Sequence, residues 1–134
     1  MTSLAEAGEA IVDRFISAFP DLEVTLSTED YTPSSVDNTW VRLVYRLASG
    51  GQRTLGKAPN RRFERIGIIF VQLSAPPNRG TYNGEVLGKA IGDLYESTTF
   101  NGVTCESAQV RDQGNQNGRH EVNIDIDFKY YEIK

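Results

Sequence analysis

His120 and Cys105 are the only histidine and the only cysteine in the chain. They could serve as base and nucleophile, yet neither lies in the sharp turn that exposes such a nucleophile. His120 is expected at the start of a strand and Cys105 in the interior. With one of each, this chain alone can build neither a disulfide nor a Cys/His zinc cluster. Carboxylates offer different chemistry. Glu121, Asp125 and Asp127 alternate with Val122, Ile124, Ile126, Phe128 and Tyr130, which places them on one strand face with neighbours about 6.5–7 Å apart. A pair at that distance could hold a cation or perform acid–base work. A plain polar face opposite a core face gives the same pattern. A third use is a lumen-facing acidic wall that repels DNA and lets it slide through a channel.

Basic residues concentrate in Arg53, Lys57, Arg61, Arg62 and Arg65, interrupted by Glu64. Such a cluster suits phosphate or an acidic partner protein, or it is a solvated loop. Phe63 is the only aromatic among them, so the stacking half of a single-strand-binding surface is missing. Gly80-Thr-Tyr-Asn-Gly84 opens a helix whose N-terminus could attract an anion, but the P-loop lysine and spacing are absent. No catalytic residue, cofactor or metal is assigned, and the chain is read as a non-enzyme.

The elements that must carry these residues follow from periodicity. Leu4, Ala7, Ile11, Phe15 and Phe19 recur at helical spacing, with Ser3 and Glu6 spaced as a capping box and Pro20 closing the pattern. Leu22 to Leu26 reads as a short strand, and Thr28 to Asn38 as a loop. Val41, Leu43, Tyr45 and Leu47 alternate with wetter positions, and Gly50-Gly51 is expected to stop that strand. From Phe63 to Leu73 both faces are apolar, so this strand needs cover twice: from a helix on one side, and from a second helix or a neighbouring subunit on the other. After the turn Ala75-Pro-Pro-Asn-Arg-Gly80, Thr81 is expected to cap a helix with the stripe Val86, Leu87, Ala90, Ile91, Leu94 and Tyr95. Asn101-Gly102 turns into a strand from Val103 to Arg111, Gln113 to Gly118 forms a loose hairpin connection, and Val122 to Tyr130 is the last strand. The expected fold is α+β, a mainly antiparallel sheet of four to five strands with two helices packed on one face.

At 134 residues the chain fits one domain spanning 1–134. With 39% hydrophobic and 24% charged residues, it falls outside the disordered, collagen-like and membrane classes. Its longest apolar stretch, around Ile66 to Leu73, is far short of a bilayer span. The N-terminus lacks a secretory pattern, so synthesis in a reducing cytoplasm is expected. Fourteen basic against eighteen acidic residues give a net charge of −4, which confers no general attraction to nucleic acid. The two-sided strand, Trp40 and the terminal run Tyr130-Tyr-Glu-Ile133 suggest burial against something else, hence assembly.

Several segments resemble the tail-terminator family of long-tailed bacteriophages: Asn38-Thr-Trp-Val-Arg-Leu43, Gln52-Arg-Thr-Leu-Gly56, Arg65-Ile-Gly-Ile-Ile-Phe-Val-Gln72, Pro77-Asn-Arg-Gly80 and the alternating strand Val122 to Tyr130. These are packing and turn patterns spread over nearly the whole chain. The resemblance implies a structural virion protein at the head-proximal end of the tail. Copies of itself, commonly six, would form a ring that caps the tail tube, stops its polymerisation and offers a face for head joining. Implied partners are the major tail tube protein and a head-completion or neck protein; DNA would be cargo in the lumen, and no membrane is involved. The basic cluster Arg53, Lys57, Arg61, Arg62 and Arg65 then becomes a candidate partner interface, and Glu121, Asp125 and Asp127 a candidate lumen wall. Alternatives are a neck or head–tail connector subunit, a small cation-dependent hydrolase using Asp125 and Asp127, and a basic-loop nucleic-acid binder.

Overall fold

A computed structural model describes residues 3–26, 39–52, 61–76, 80–116 and 118–133. The first helix, α1 (Leu4–Ala18), starts where the sequence marks it. The Ser3 hydroxyl accepts from the Glu6 amide at 3.2 Å, and the Glu6 carboxylate accepts from the same hydroxyl at 3.4 Å. Its buried stripe is Ala7, Ala10, Ile11 and Phe15.

Six strands follow the order β1-β2-β3-β6-β5-β4. They are β1 (Glu23–Thr25), β2 (Trp40–Gln52), β3 (Arg62–Ala75), β4 (Thr98–Phe100), β5 (Val103–Gln116) and β6 (Arg119–Ile133). The second helix, α2 (Gly80–Tyr95), connects β3 to β4. This corrects the expected four to five mainly antiparallel strands: β1 runs parallel to β2, and the mixed sheet curls into a half-barrel. Register shifts between Leu47 and Ser49, between Cys105 and Ala108, and between Asp112 and Gly114 are of the kind that bend a sheet and increase its twist.

Three boundaries differ from the sequence reading. Gly50-Gly51 does not stop β2, because its ladder with β3 continues to Gln52 opposite Phe63. The polar run after Arg111 is strand rather than loose connection, held in register by β6 up to the pair Gln116 and Arg119. Helix α2 begins at Gly80, so Thr81 lies inside it. The expected loop Thr28 to Asn38 falls outside the described residues, as do Pro77, Asn78 and Arg79 of the turn before α2.

The core lies between the helices and one sheet face, where Ile11, Phe15, Leu43, Ile69, Leu73, Ile91, Tyr95, Ile124, Ile126 and Phe128 are all buried. Helix α2 rests on β6, β5 and β3, and glycines let it approach closely. A Cβ on Gly84 would lie 2.4 Å from His120 Nδ1, and one on Gly88 would lie 3.0 Å from Val122 Cγ1. Val86, expected in the buried stripe, is 52% exposed. Polar anchors join the two helices: the Tyr95 hydroxyl donates to Ile11 O at 2.7 Å, and Arg14 donates twice to Leu94 O at 3.0 and 2.8 Å while its guanidinium sits 4.7 Å from the Phe100 ring centre.

Candidate interaction surface

The pairing register and the two-residue alternation of strands fix which side chains share the helix-free face. Arg46, Ile68 and Asp127 occupy one rung across β2, β3 and β6. On the next rung stand Val44, Phe70, Asp125 and Gln109, followed by Arg42, Gln72, Asn123 and Arg111. The face is thus striped, with arginines along β2, apolar side chains along β3 and carboxylates along β6. Among the described residues no helix covers it, and Phe70 is 37% exposed. Among the described residues the two-sided strand therefore has one cover and not two.

Local contacts hold the stripes in place. The Arg42 guanidinium donates to Gln72 Oε1 at 3.2 Å, and Gln72 Nε2 donates to Glu121 Oε2 at 3.3 Å. Asp125 pairs with Arg111, Asp127 accepts from the Ser107 hydroxyl at 3.3 Å, and Lys129 pairs with Glu106 at 3.0 Å. The Arg46 guanidinium sits 5.8 Å from the Phe70 ring centre. Glu121, Asp125 and Asp127 do share one face, as the alternation predicts, but each is engaged by a neighbour. No group of three or more His, Cys, Asp or Glu side chains suited to a metal occurs among the described residues. A hollow of about 250 Å³ between Arg42, Phe70 and Asp125 is smaller than most small-molecule pockets, which favours contact with a surface over enclosure of a ligand.

Strand alternation divides the basic cluster. Arg61 and Arg65 flank the Phe63 ring, with guanidiniums 5.5 and 5.1 Å from its centre, and Arg65 also pairs with Glu132 at 3.0 Å. Arg62 lies over Tyr131 at 3.7 Å, on the opposite face. Arg53 and Lys57 fall outside the described residues. Trp40, expected to need a partner, is already 92% covered by its own chain, with Arg42 over its ring at 5.6 Å. Tyr130 is likewise buried.

His120 and Cys105 do not meet. Cys105 stands opposite Phe128, eight residues along β6 from His120, or roughly 26 Å at strand rise. Burial pushes the Cys105 thiol up to about 12. His120, buried beneath α2, shares a 2.8 Å hydrogen bond between its Nε2 and Asp112 Oδ1. Asp112 is held below its ordinary value, first by the Gly114 amide, which donates to it at 2.7 Å, and then by His120. Sequence reasoning missed the glycine-lined seat of α2, although Gly84, Gly88 and Gly92 recur at four-residue spacing. It also missed the Arg14 anchor, which has no local signal.

No helix of the described residues is long and apolar enough to cross a membrane. No protein-family model and no curated protein matches the chain. Its architecture does recur among solved structures. One of these, whose name states no activity, aligns over 97% of this chain and 96% of its own at a TM-score of 0.68 and 15% identity. That likeness establishes a shared fold and nothing about activity.

Proposed function

We propose that this chain is a ring-forming structural subunit of the tail-terminator type, capping a phage tail tube and joining it to the head. The observation that carries the reading is the one-sided sheet: both helices pack on one face, while Val44, Ile66, Ile68 and Phe70 stand on the other. A subunit with two chemically different sides and apolar surface on the helix-free one suits repeated contact with other subunits. Head-to-tail contacts that close give a ring of fixed copy number with two unlike ends. One end can match the tube, and growth stops if the other lacks the surface the next tube subunit requires.

In this reading the helix-free face of β3 and the outer edge of β2 lie at or near subunit contacts. The end of the β2–β3 ladder that carries Arg61 and Arg62 points toward the tube or the lumen. Purified tail tubes mixed with the protein and imaged should carry a six-fold cap at one end. Tubes that keep elongating in its presence would count against termination. Replacing Arg61 and Arg62 together by glutamate should weaken tube docking; unchanged docking would remove that end of the ladder from the account.

A further inference from the structure

The helix-free face is complementary to itself. In its central row on β3, Ile68 stands between Arg46 of β2 and Asp127 of β6, Phe70 between Val44 and Asp125, and Ile66 beside Lys129. Consider a second copy laid face to face on the first. A two-fold axis running along β3 sets apolar row on apolar row and places the partner's β2 above β6, so Arg46 meets Asp127 on both sides of the axis while Arg42 faces the neutral Asn123. An in-plane axis across the strands would instead set arginine over arginine. Charge therefore selects the first arrangement.

Arg46 and Asp127 lie on the same rung, on either side of Ile68, so turning the rung over superposes each on the other's counterpart. Both residues are exposed, and the half-buried Val44, Ile66 and Ile68 stand between them with the more exposed Phe70. Facing sheets pack about 10 Å apart with strands nearly aligned, a gap that an arginine and an aspartate reaching from opposite sides close.

We infer that, free of any tube, the chain pairs with a second copy through this face, the two β3 strands running alongside each other and Arg46 of each copy meeting Asp127 of the other. The inference goes beyond the tail-terminator reading and does not depend on it. A two-fold contact closes on itself and uses the same patch twice, unlike the head-to-tail contact of a ring. In a protein that does both, the pair must open before a ring forms.

Charge reversal tests it on the purified full-length chain by sedimentation equilibrium. The wild type should be a dimer at about 100 µM. Arg46→Glu or Asp127→Arg alone sets two like-charge contacts in the interface, because symmetry doubles every change, and should raise the dimer dissociation constant about a hundred-fold. The combined R46E/D127R chain restores opposite charges and should return to within about three-fold of wild type. Far-UV circular dichroism checks that each variant is folded. Should a reversal unfold the chain, Arg46→Gln and Asp127→Asn should each still weaken pairing about ten-fold. A monomeric wild type, an assembly whose size the reversals do not change, or a double variant no better than the singles would each overturn the proposal. None of these outcomes bears on tube capping, which is read separately on tail tubes.

Discussion

Gly67 is where a single methyl group should do the most damage. It sits in β3 between Leu47 of β2 and Phe128 of β6. A Cβ there would lie 2.5 Å from the Arg46 carbonyl oxygen, 2.5 Å from Phe128 Cζ and 2.7 Å from Phe128 Cε1. Ordinary contact is about 3.5–4 Å, so the ring and the β2 backbone must each retreat by about 1 Å. The ring has little room, being 1% exposed and stacked 6.5 Å from Tyr130. Overpacking of this kind costs about 1–3 kcal/mol, and a clash with backbone places Gly67→Ala near the top of that range. The lower freedom of alanine in the unfolded chain offsets about 0.4–1 kcal/mol, leaving a net loss of about 2 kcal/mol. For a domain of this size that lowers Tm by about 8 °C. Urea unfolding followed by far-UV circular dichroism, with unchanged m, would measure it. Phe128→Leu removes the offending ring atoms, so in a double-mutant cycle it should recover about 1 kcal/mol of the Gly67→Ala loss. The carbonyl clash would remain. Wild-type stability in Gly67→Ala, or strictly additive costs in the cycle, would refute the geometry.

Three further outcomes follow from other sites. Arg14→Ala should destabilise by about 2 kcal/mol in urea unfolding, because Leu94 O loses two charged donors and Phe100 loses its cation. Arg14→Lys should recover less than half of that, since an ammonium cannot reproduce the fork. Cys105, with its thiol raised to about 12 by burial, should resist iodoacetamide at pH 8 in the folded protein and react at the rate of a free thiol in denaturant. Asp112 is depressed below its ordinary value of 3.8. Its stabilising contribution is therefore complete above that value and lost as pH falls through the lower folded value. Asp112→Asn should flatten the acid limb of the stability–pH curve, read from urea midpoints at successive pH values.

Where local pattern and long-range pairing agree, the fold was legible from the sequence. The alternation of Val122 to Tyr130 and the spacing of Ala7 to Phe15 each bury one side whatever the neighbours do, and the structure has them as read, although Leu4 at the start of the helical stripe is exposed. The misses share a cause. Nothing in Gln113-Gly-Asn-Gln116 favours a strand; the ladder from β6 imposes it. Gly50-Gly51 looks like a stop until β3 supplies a partner. Thr98–Phe100 is too short to show a period, and the parallel direction of β1 depends on where the chain returns rather than on the residues of β1. Each of these depends on a partner strand rather than on the segment's own side-chain pattern, which is why the sheet gained strands and lost its uniform antiparallel character. For the candidate surface, alternation correctly put Glu121, Asp125 and Asp127 on one face, but their partners Gln72, Arg111 and Ser107 lie on other strands. The contiguous basic cluster divided because adjacent strand residues point oppositely.

Apart from the buried Tyr130, the far end of the β3–β6 ladder, Arg62–Ile66 against Lys129–Ile133, holds only half-buried and exposed side chains, joined by guanidinium–ring and carboxylate contacts. The residues there other than Tyr130 can change identity with little effect on whether the rest of the molecule folds. Lineages facing altered assembly partners could rewrite this tip quickly while the helix-backed half stays fixed, so sequence divergence between related proteins should concentrate at this end of the ladder.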